Sequence, residues 1–429
     1  MAIVAPSGGL RTGTATARAP AIGLRSAAAL AAVGVLYAVA LASRNPGLLT
    51  DPTFFAEDGQ NWFADAHNLS ALHALLSPLG GYYELLPRLV ALLLAPLGLR
   101  GAAVGFACVG LCVQVAPALL FASRRFRHVV ASDRVRWLLS AAYLCLWPSE
   151  LTGNLTASQW HLAVLAFLVL GAKPPHTRGG RCFDITALAV AGLTGPYALF
   201  LAPLGFVMHR RDLTRWRWTE LGVLAVTAAV QLTVLAFALP SAHRAQVLGA
   251  SASDLVFAVT NQVLDRFGHW GINPAALPLA AAGAAAVALM LCGGFLRGPR
   301  LLRHFIVFAV AVAASGMLTP YSRLPDTRSA WDEISTGGGA NRYFVYLVVA
   351  VVCSALVLLR RARLPRLGLP AGALVCALVL GSAAVQWRFP QPPSQHLAAY
   401  EAELSRAVPG TVITIPITPR HWDMQVIAR

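Results

Sequence analysis

Apolar runs close to 20 residues long recur between residues 24 and 387, separated by short basic or polar clusters. Wound as α-helix, such a run crosses a hydrocarbon core about 30 Å thick. The pattern predicts an all-α polytopic membrane protein with about eleven transmembrane helices, at 24–43, 101–122, 135–148, 158–171, 183–195, 196–208, 219–240, 275–296, 301–319, 342–360 and 369–387. Residues 85–99, "LLPRLVALLLAPLGL", are apolar but carry Pro87 and Pro96. They read as an interfacial or re-entrant helix broken into short pieces. Four of the runs hold only about 13–14 residues, too short to cross a bilayer alone, so they border a protein-lined recess. "TGPY" (194–197) breaks one hydrophobic stretch into two helices whose far ends are both basic.

Composition agrees with the pattern. Hydrophobic residues make up 57% of the 429 and charged residues 12%, against about 25% charged in a soluble domain. The net charge of +16 is not a nucleic-acid footprint, because its arginines sit in short loops between apolar runs. The N-terminus and the loops 123–136, 172–183, 209–220, 297–303 and 360–366 hold 22 of the 34 Lys and Arg. In or beside them stand 4 of the 18 acids, Asp133, Asp184, Asp212 and Glu220. The positive-inside rule then places the N-terminus and these loops in the cytoplasm of a plasma (inner) membrane, and the long acidic loops outside.

Three regions follow: a disordered cytoplasmic tail (1–22), a transmembrane domain (23–387) with a long first outer loop (44–100), and a short extracytoplasmic C-terminal segment (388–429). Within the last, "GTVITIPIT" alternates β-branched residues and predicts a short strand or two. The seven cysteines lie in apolar runs or on the basic side and show no metal-ligand spacing.

No Asp, Glu, Lys or Arg lies deep in an expected span, which counts against an ion-coupled transporter. The acids gather in the outer loops. In "DPTFFAEDGQNWF" (51–63), Glu57 and Asp58 sit among aromatics. A helix here puts Phe55, Asp58, Trp62 and Asp65 on one face and turns Glu57 away. Two readings stay open: an interfacial helix with solvated acids, or working carboxylates. Glu84 belongs to the same loop. "TGGGANRYF" (336–344) delivers Arg342 and Tyr343 to the start of a span, where an Arg can clamp a lipid phosphate or simply snorkel. "SELTGNLTASQWHL" (149–162) adds Asn154, Gln159 and His161, groups that bind sugars or serve as ordinary helix ends.

This layout, with "AEDG" (56–59) early in the first outer loop and "NRYF" (341–344) late in the chain, resembles the glycosyltransferase C superfamily. Its members are membrane enzymes that use polyprenyl-phosphate sugars. The chain departs from the common pattern in having Glu–Asp–Gly rather than Asp-x-Asp, and a C-terminal segment of only about 40 residues. The resemblance implies transfer of a sugar from a lipid-linked donor to a cell-envelope glycan or lipid acceptor, with inversion. Asp58 would be the base, Glu57 the alternative base, and Arg342 the phosphate clamp. Tyr343, Asn154, Gln159, His161 and Glu84 would contact substrate. No cofactor is required, although outer acids could hold a divalent cation. Two other functions fit the same layout: a flippase or exporter of lipid-linked glycan, and an O-antigen-type polymerase or ligase.

Overall fold

A computed structural model describes residues 24–238, 251–264, 276–318, 334–335, 341–361 and 368–429. The expected tail, 1–22, and the glycines of 336–340 lie outside these. In chain order the helices are α1 (Leu24–Ala42), α2 (Gly47–Thr50), a π turn (Asp58–Phe63) running into α3 (Ala64–Asn68), α4 (Ala71–Leu76), α5 (Leu85–Leu94) and α6 (Gly98–Ala122). Next come α7 (Asp133–Cys145), α8 (Ser158–Gly171), α9 (Arg178–Leu193), α10 (Ala198–His209), α11 (Arg215–Ala238) and α12 (Ala252–Leu264). After them are α13 (Leu277–Arg297), α14 (Arg300–Leu318), α15 (Asn341–Arg361), α16 (Gly368–Val385) and α17 (Leu397–Leu404). Strands β1 (Val412–Ile417) and β2 (Trp422–Ile427) form an antiparallel hairpin.

Among the described residues, four helical stretches are long and apolar enough to cross a membrane: Leu85–Ala122, Arg215–Phe237, Leu277–Arg297 and Asn341–Arg361. The chain is thus a mostly helical protein of membrane character. The first stretch is not one rod. Pro87 sits in the first turn of α5, where its missing N–H costs nothing, and does not break the helix. The break comes later, at a 3₁₀ turn over Ala95–Leu97 with Pro96 in it and Gly98 at φ 75°.

Several helices are short. α7 has 13 residues, α8 14 and α10 12, and 14 residues rise only about 21 Å. Their basic ends gather at one end of the bundle. There Arg125 forks onto buried Asp184 through two 2.7 Å hydrogen bonds and donates to Lys173 O, while Arg217 bonds Glu220 and Ala172 O. This is bidentate guanidinium–carboxylate geometry, the strongest form of charge-assisted pairing. The opposite ends of α8, α9, α10 and α15 meet the first long loop.

Because α7 and α8 are short, the loop between them (146–157) reaches only to the middle of α6. Gly110 in α6 meets it there. A Cβ on Gly110 would stand 2.7 Å from both Asn154 N and Asn154 O, so only glycine permits this approach.

The main core surrounds α8, whose face-to-face neighbours include Phe305, Phe308 and Tyr346. A second core joins the first loop to the C-terminal segment. Strand β1 alternates exposed and buried positions, and its Ile413, Ile415 and Ile417 pack with Met424 and Val426 against Phe54, Trp62, Phe63 and Phe106. The β-branched alternation seen in the sequence is therefore a strand with one wet and one dry face.

Replacing Gly110 by Ala should lower stability by about 1–3 kcal/mol, because the obstructing atoms are backbone and cannot swing aside. Thermal unfolding of the detergent-solubilised protein reads this, with Gly222→Ala, where a Cβ meets nothing within 4 Å, as the control.

Candidate functional site

Residues 54–58 are shaped from outside. Gln395 uses its amide as a backbone mimic: Oε1 accepts from Phe54 N and Nε2 donates to Phe54 O, each at 2.8 Å. Thr418 N donates to Phe54 O, and Ala56 N donates to Thr418 O. Held this way, Ala56 takes φ 48°, a left-handed conformation that non-glycine residues rarely adopt. The kink lets Glu57 and Asp58 leave the chain in different directions.

Asp58 is 2% exposed. Its Oδ2 accepts from Leu155 N at 3.2 Å, and its Oδ1 accepts from Thr156 N at 2.7 Å and Thr156 Oγ1 at 2.8 Å. Burial pushes the carboxyl up to about 7, the three hydrogen bonds pull it down, and the neighbouring Glu57 charge adds a little upward. Every polar contact of Asp58 is thus spent on fastening the 155–156 loop to the π turn. A side chain so engaged is poorly placed to take a substrate proton.

The expected single stripe of Phe55, Asp58, Trp62 and Asp65 does not form. Phe55 lies before the helix and bridges to Thr418. The π winding then displaces the following residues from a 3.6-residue register. Trp62 is buried at 1% exposure, not at a membrane surface, and the Arg88 guanidinium lies 5.0 Å over its ring. Asp65 is held by Arg88 at 3.1 Å.

Glu57, expected to look away, is half-buried. Among the described residues its carboxylate has no hydrogen-bond or ion-pair partner. Its charge is nevertheless felt at Asp58, Glu84, Tyr82 and Arg342, so these groups share one neighbourhood.

Glu84 is 3% exposed. Its backbone bridges to Thr194, in the break between α9 and α10. Oε1 accepts from Gln159 Nε2 at 3.1 Å, while Oε2 is buried without a partner among the described residues. Burial pushes Glu84 well above the ordinary carboxylate range; the Glu57 and Asp58 charges add to this and Arg88 opposes it.

Arg342 opens α15. Its backbone N donates to Glu150 Oε1 at 2.9 Å, capping that helix. The guanidinium lies 5.3 Å from the Tyr343 ring centre and makes no ion pair with a described residue. Tyr343 packs against Trp160 at 5.2 Å. Phe55, Glu150, Thr156, Trp160 and Arg342 line a recess of about 10 Å³, room for about one water.

The structure separates the remaining residues by role. Gln159 belongs with Glu84. Asn154 closes its own loop, with Oδ1 accepting from Ala157 N and Nδ2 donating to Glu150 O. His161 packs 4.1 Å from Trp147, with Nε2 at 2.8 Å from Leu151 O. Both are scaffold, not lining. Sequence reasoning missed Thr156, which pins Asp58, and Tyr82, beside Glu84. A hydroxyl one residue past "GNL" carries no signal of a partner 98 positions away.

Among the described residues no three His, Cys, Asp or Glu converge as a metal site. Comparisons with protein-family models, curated proteins and solved structures give no match to this chain.

Glu84 gives a pH signature. A carboxyl raised in the fold stabilises fully below its ordinary value of 4.5, and that contribution fades as pH rises through the raised value. The melting temperature should therefore fall from pH 5 to pH 8, and Glu84→Gln should flatten the fall. An unchanged slope in Glu84→Gln would mean that Glu84 is ionised throughout.

Proposed function

We propose that this chain is an integral-membrane glycosyltransferase. It moves a sugar from a polyprenyl-phosphate donor to a cell-envelope glycan or lipid acceptor at the extracytoplasmic face. The observation that carries the reading is Glu57: a half-buried carboxylate with no hydrogen-bond or ion-pair partner among the described residues, whose charge, with those of Tyr343 and Glu150, is felt at an Arg342 guanidinium that makes no ion pair with a described residue. A carboxylate and a guanidinium within electrostatic reach of one another match what this transfer needs. The gathering of basic loops at the other end of the bundle supports the orientation, through the positive-inside rule.

In this reaction the phosphate is already a good leaving group, so no strong acid is needed to expel it. Glu57 takes the proton from the acceptor hydroxyl. The acceptor oxygen forms its bond to the anomeric carbon from the face opposite the phosphate. The bond from that carbon to the phosphate oxygen breaks, and its electrons leave with the polyprenyl phosphate. Arg342 stabilises the charge gathering on the departing phosphate. Attack from the opposite face inverts the anomeric centre. The base is Glu57 rather than Asp58, because Asp58 already holds three donors.

The test uses membranes given labelled polyprenyl-phosphate sugar. Glu57→Gln should lose transfer by about 10²–10⁴-fold with an unchanged melting temperature. Arg342→Lys, which keeps charge but not the planar fork, should be impaired, and Arg342→Ala more so. Full transfer by Glu57→Gln in a working assay overturns the reading.

A further inference from the structure

The recess beside Arg342 is too small to seat a sugar, but a larger space lies close along the same segment. A cleft of about 480 Å³ lies between the end of α1, α2 and the segment that follows α16. It falls within the range of roughly 300–1,000 Å³ typical of small-ligand sites. Thr53 lines the cleft and Phe55 lines the recess. Two residues of extended chain span only about 7 Å, so the two spaces are neighbours along one strand of backbone.

The lining is mixed: Asn45, Thr50, Asp51, Thr53, Arg388 and Gln391 stand among Pro46, Pro392 and Phe389, whose ring lies 4.0 Å from the Arg44 guanidinium. Some of these groups are already committed. Asp51 Oδ1 accepts from Ser394 Oγ at 3.0 Å, and Gln391 Oε1 accepts from Gly47 N at 3.2 Å. Others are open. Asn45 Oδ1 is buried and has no hydrogen-bond partner among the described residues. A buried acceptor without a donor costs about 1–3 kcal/mol, a cost that a ligand hydroxyl would remove. Arg388 is exposed and makes no ion pair with a described residue.

These features select a ligand class. A lipid tail needs an apolar groove, and this cleft carries amides, a hydroxyl and charges. An anionic ligand would meet Asp51 and a cationic one Arg388, so the paired charges favour a neutral molecule rich in hydroxyls. Amide and carboxylate groups read hydroxyls, and the prolines and Phe389 supply apolar surface for the C–H side of a sugar.

We propose that this cleft is the acceptor subsite and that it takes a neutral glycan, about two sugar residues of it. The proposal rests on the glycosyltransferase reading and adds to it: the acceptor is a saccharide, with its terminal hydroxyl leaving the cleft past Thr53 towards Glu57.

Binding can be read without transfer. The full chain in detergent is exposed to neutral di- and trisaccharides of glucose, galactose, mannose and arabinose, and saturation-transfer NMR records contact. At least one sugar should bind. Asn45→Leu, which removes the open acceptor, and Thr53→Trp, which fills the cleft, should each weaken that binding about tenfold or more. Glu57→Gln should leave it intact. In the transfer assay, Asn45→Leu should raise the acceptor KM while leaving the donor KM unchanged. A melting curve like that of the native chain certifies the fold of each variant. No saccharide binding, or binding equally strong in both cleft variants, overturns the acceptor subsite even if transfer is found. Saccharide binding in the cleft together with full transfer by Glu57→Gln would instead keep the subsite and remove the catalytic reading.

Discussion

The arrangement hangs on one carboxylate. Asp58 sits out of water and accepts from two backbone N–H groups and one hydroxyl of residues 155–156. Buried donors and acceptors must find one another, and here each side is the other's solution. The loop between α7 and α8 ends half-way along α6, where its amides meet no water and no continuing helix. The π turn carries a charge that burial disfavours. Joining them satisfies both, and it fixes the first long loop over the ends of the short helices.

Other contacts extend from that joint. Gln395 and Thr418 hold residues 54–56 from the C-terminal side, and the hairpin's isoleucines press on the aromatics of the same loop. The C-terminal segment thus works as a brace for the acid pair, not as a separate appendage. Gly110 allows the loop to approach from below. With Asp58 consumed by this architecture, Glu57 is left with no hydrogen-bond or ion-pair partner among the described residues. Glu84 lies nearby, buried and bonded to Gln159. Two adjacent acids in the sequence thus differ in their partners: Asp58 is bonded to residues 155–156, and Glu57 to none of the described residues.

The helical membrane character was legible because hydrophobic period and length are local properties. So was the strand at 412–417, whose alternation needs only its own residues. The gathering of basic loops at one end of the bundle follows from the same pattern. What the sequence hid was long-range. The stripe expected through Phe55, Asp58, Trp62 and Asp65 assumed 3.6 residues per turn, and a π turn starting at Asp58 removes Phe55 from it. Nothing local marks that winding, since it is imposed by Thr418 and Gln395 from more than 300 residues away. The carboxylate cluster was found by counting acids in one loop. Which of them is tied and which is free depends on Thr156 and Gln159, and no spacing rule points to those partners.

The central proposal is a division of labour, in which Asp58 builds the site and leaves Glu57 available for chemistry. Hydrogen exchange at the amides of Leu155 and Thr156 tests it most directly. Both amides should be protected in the native chain. In Asp58→Ala they should exchange much faster, while Glu57→Gln should leave their protection as it was. Unaltered protection in Asp58→Ala, or protection lost in Glu57→Gln, would contradict the account.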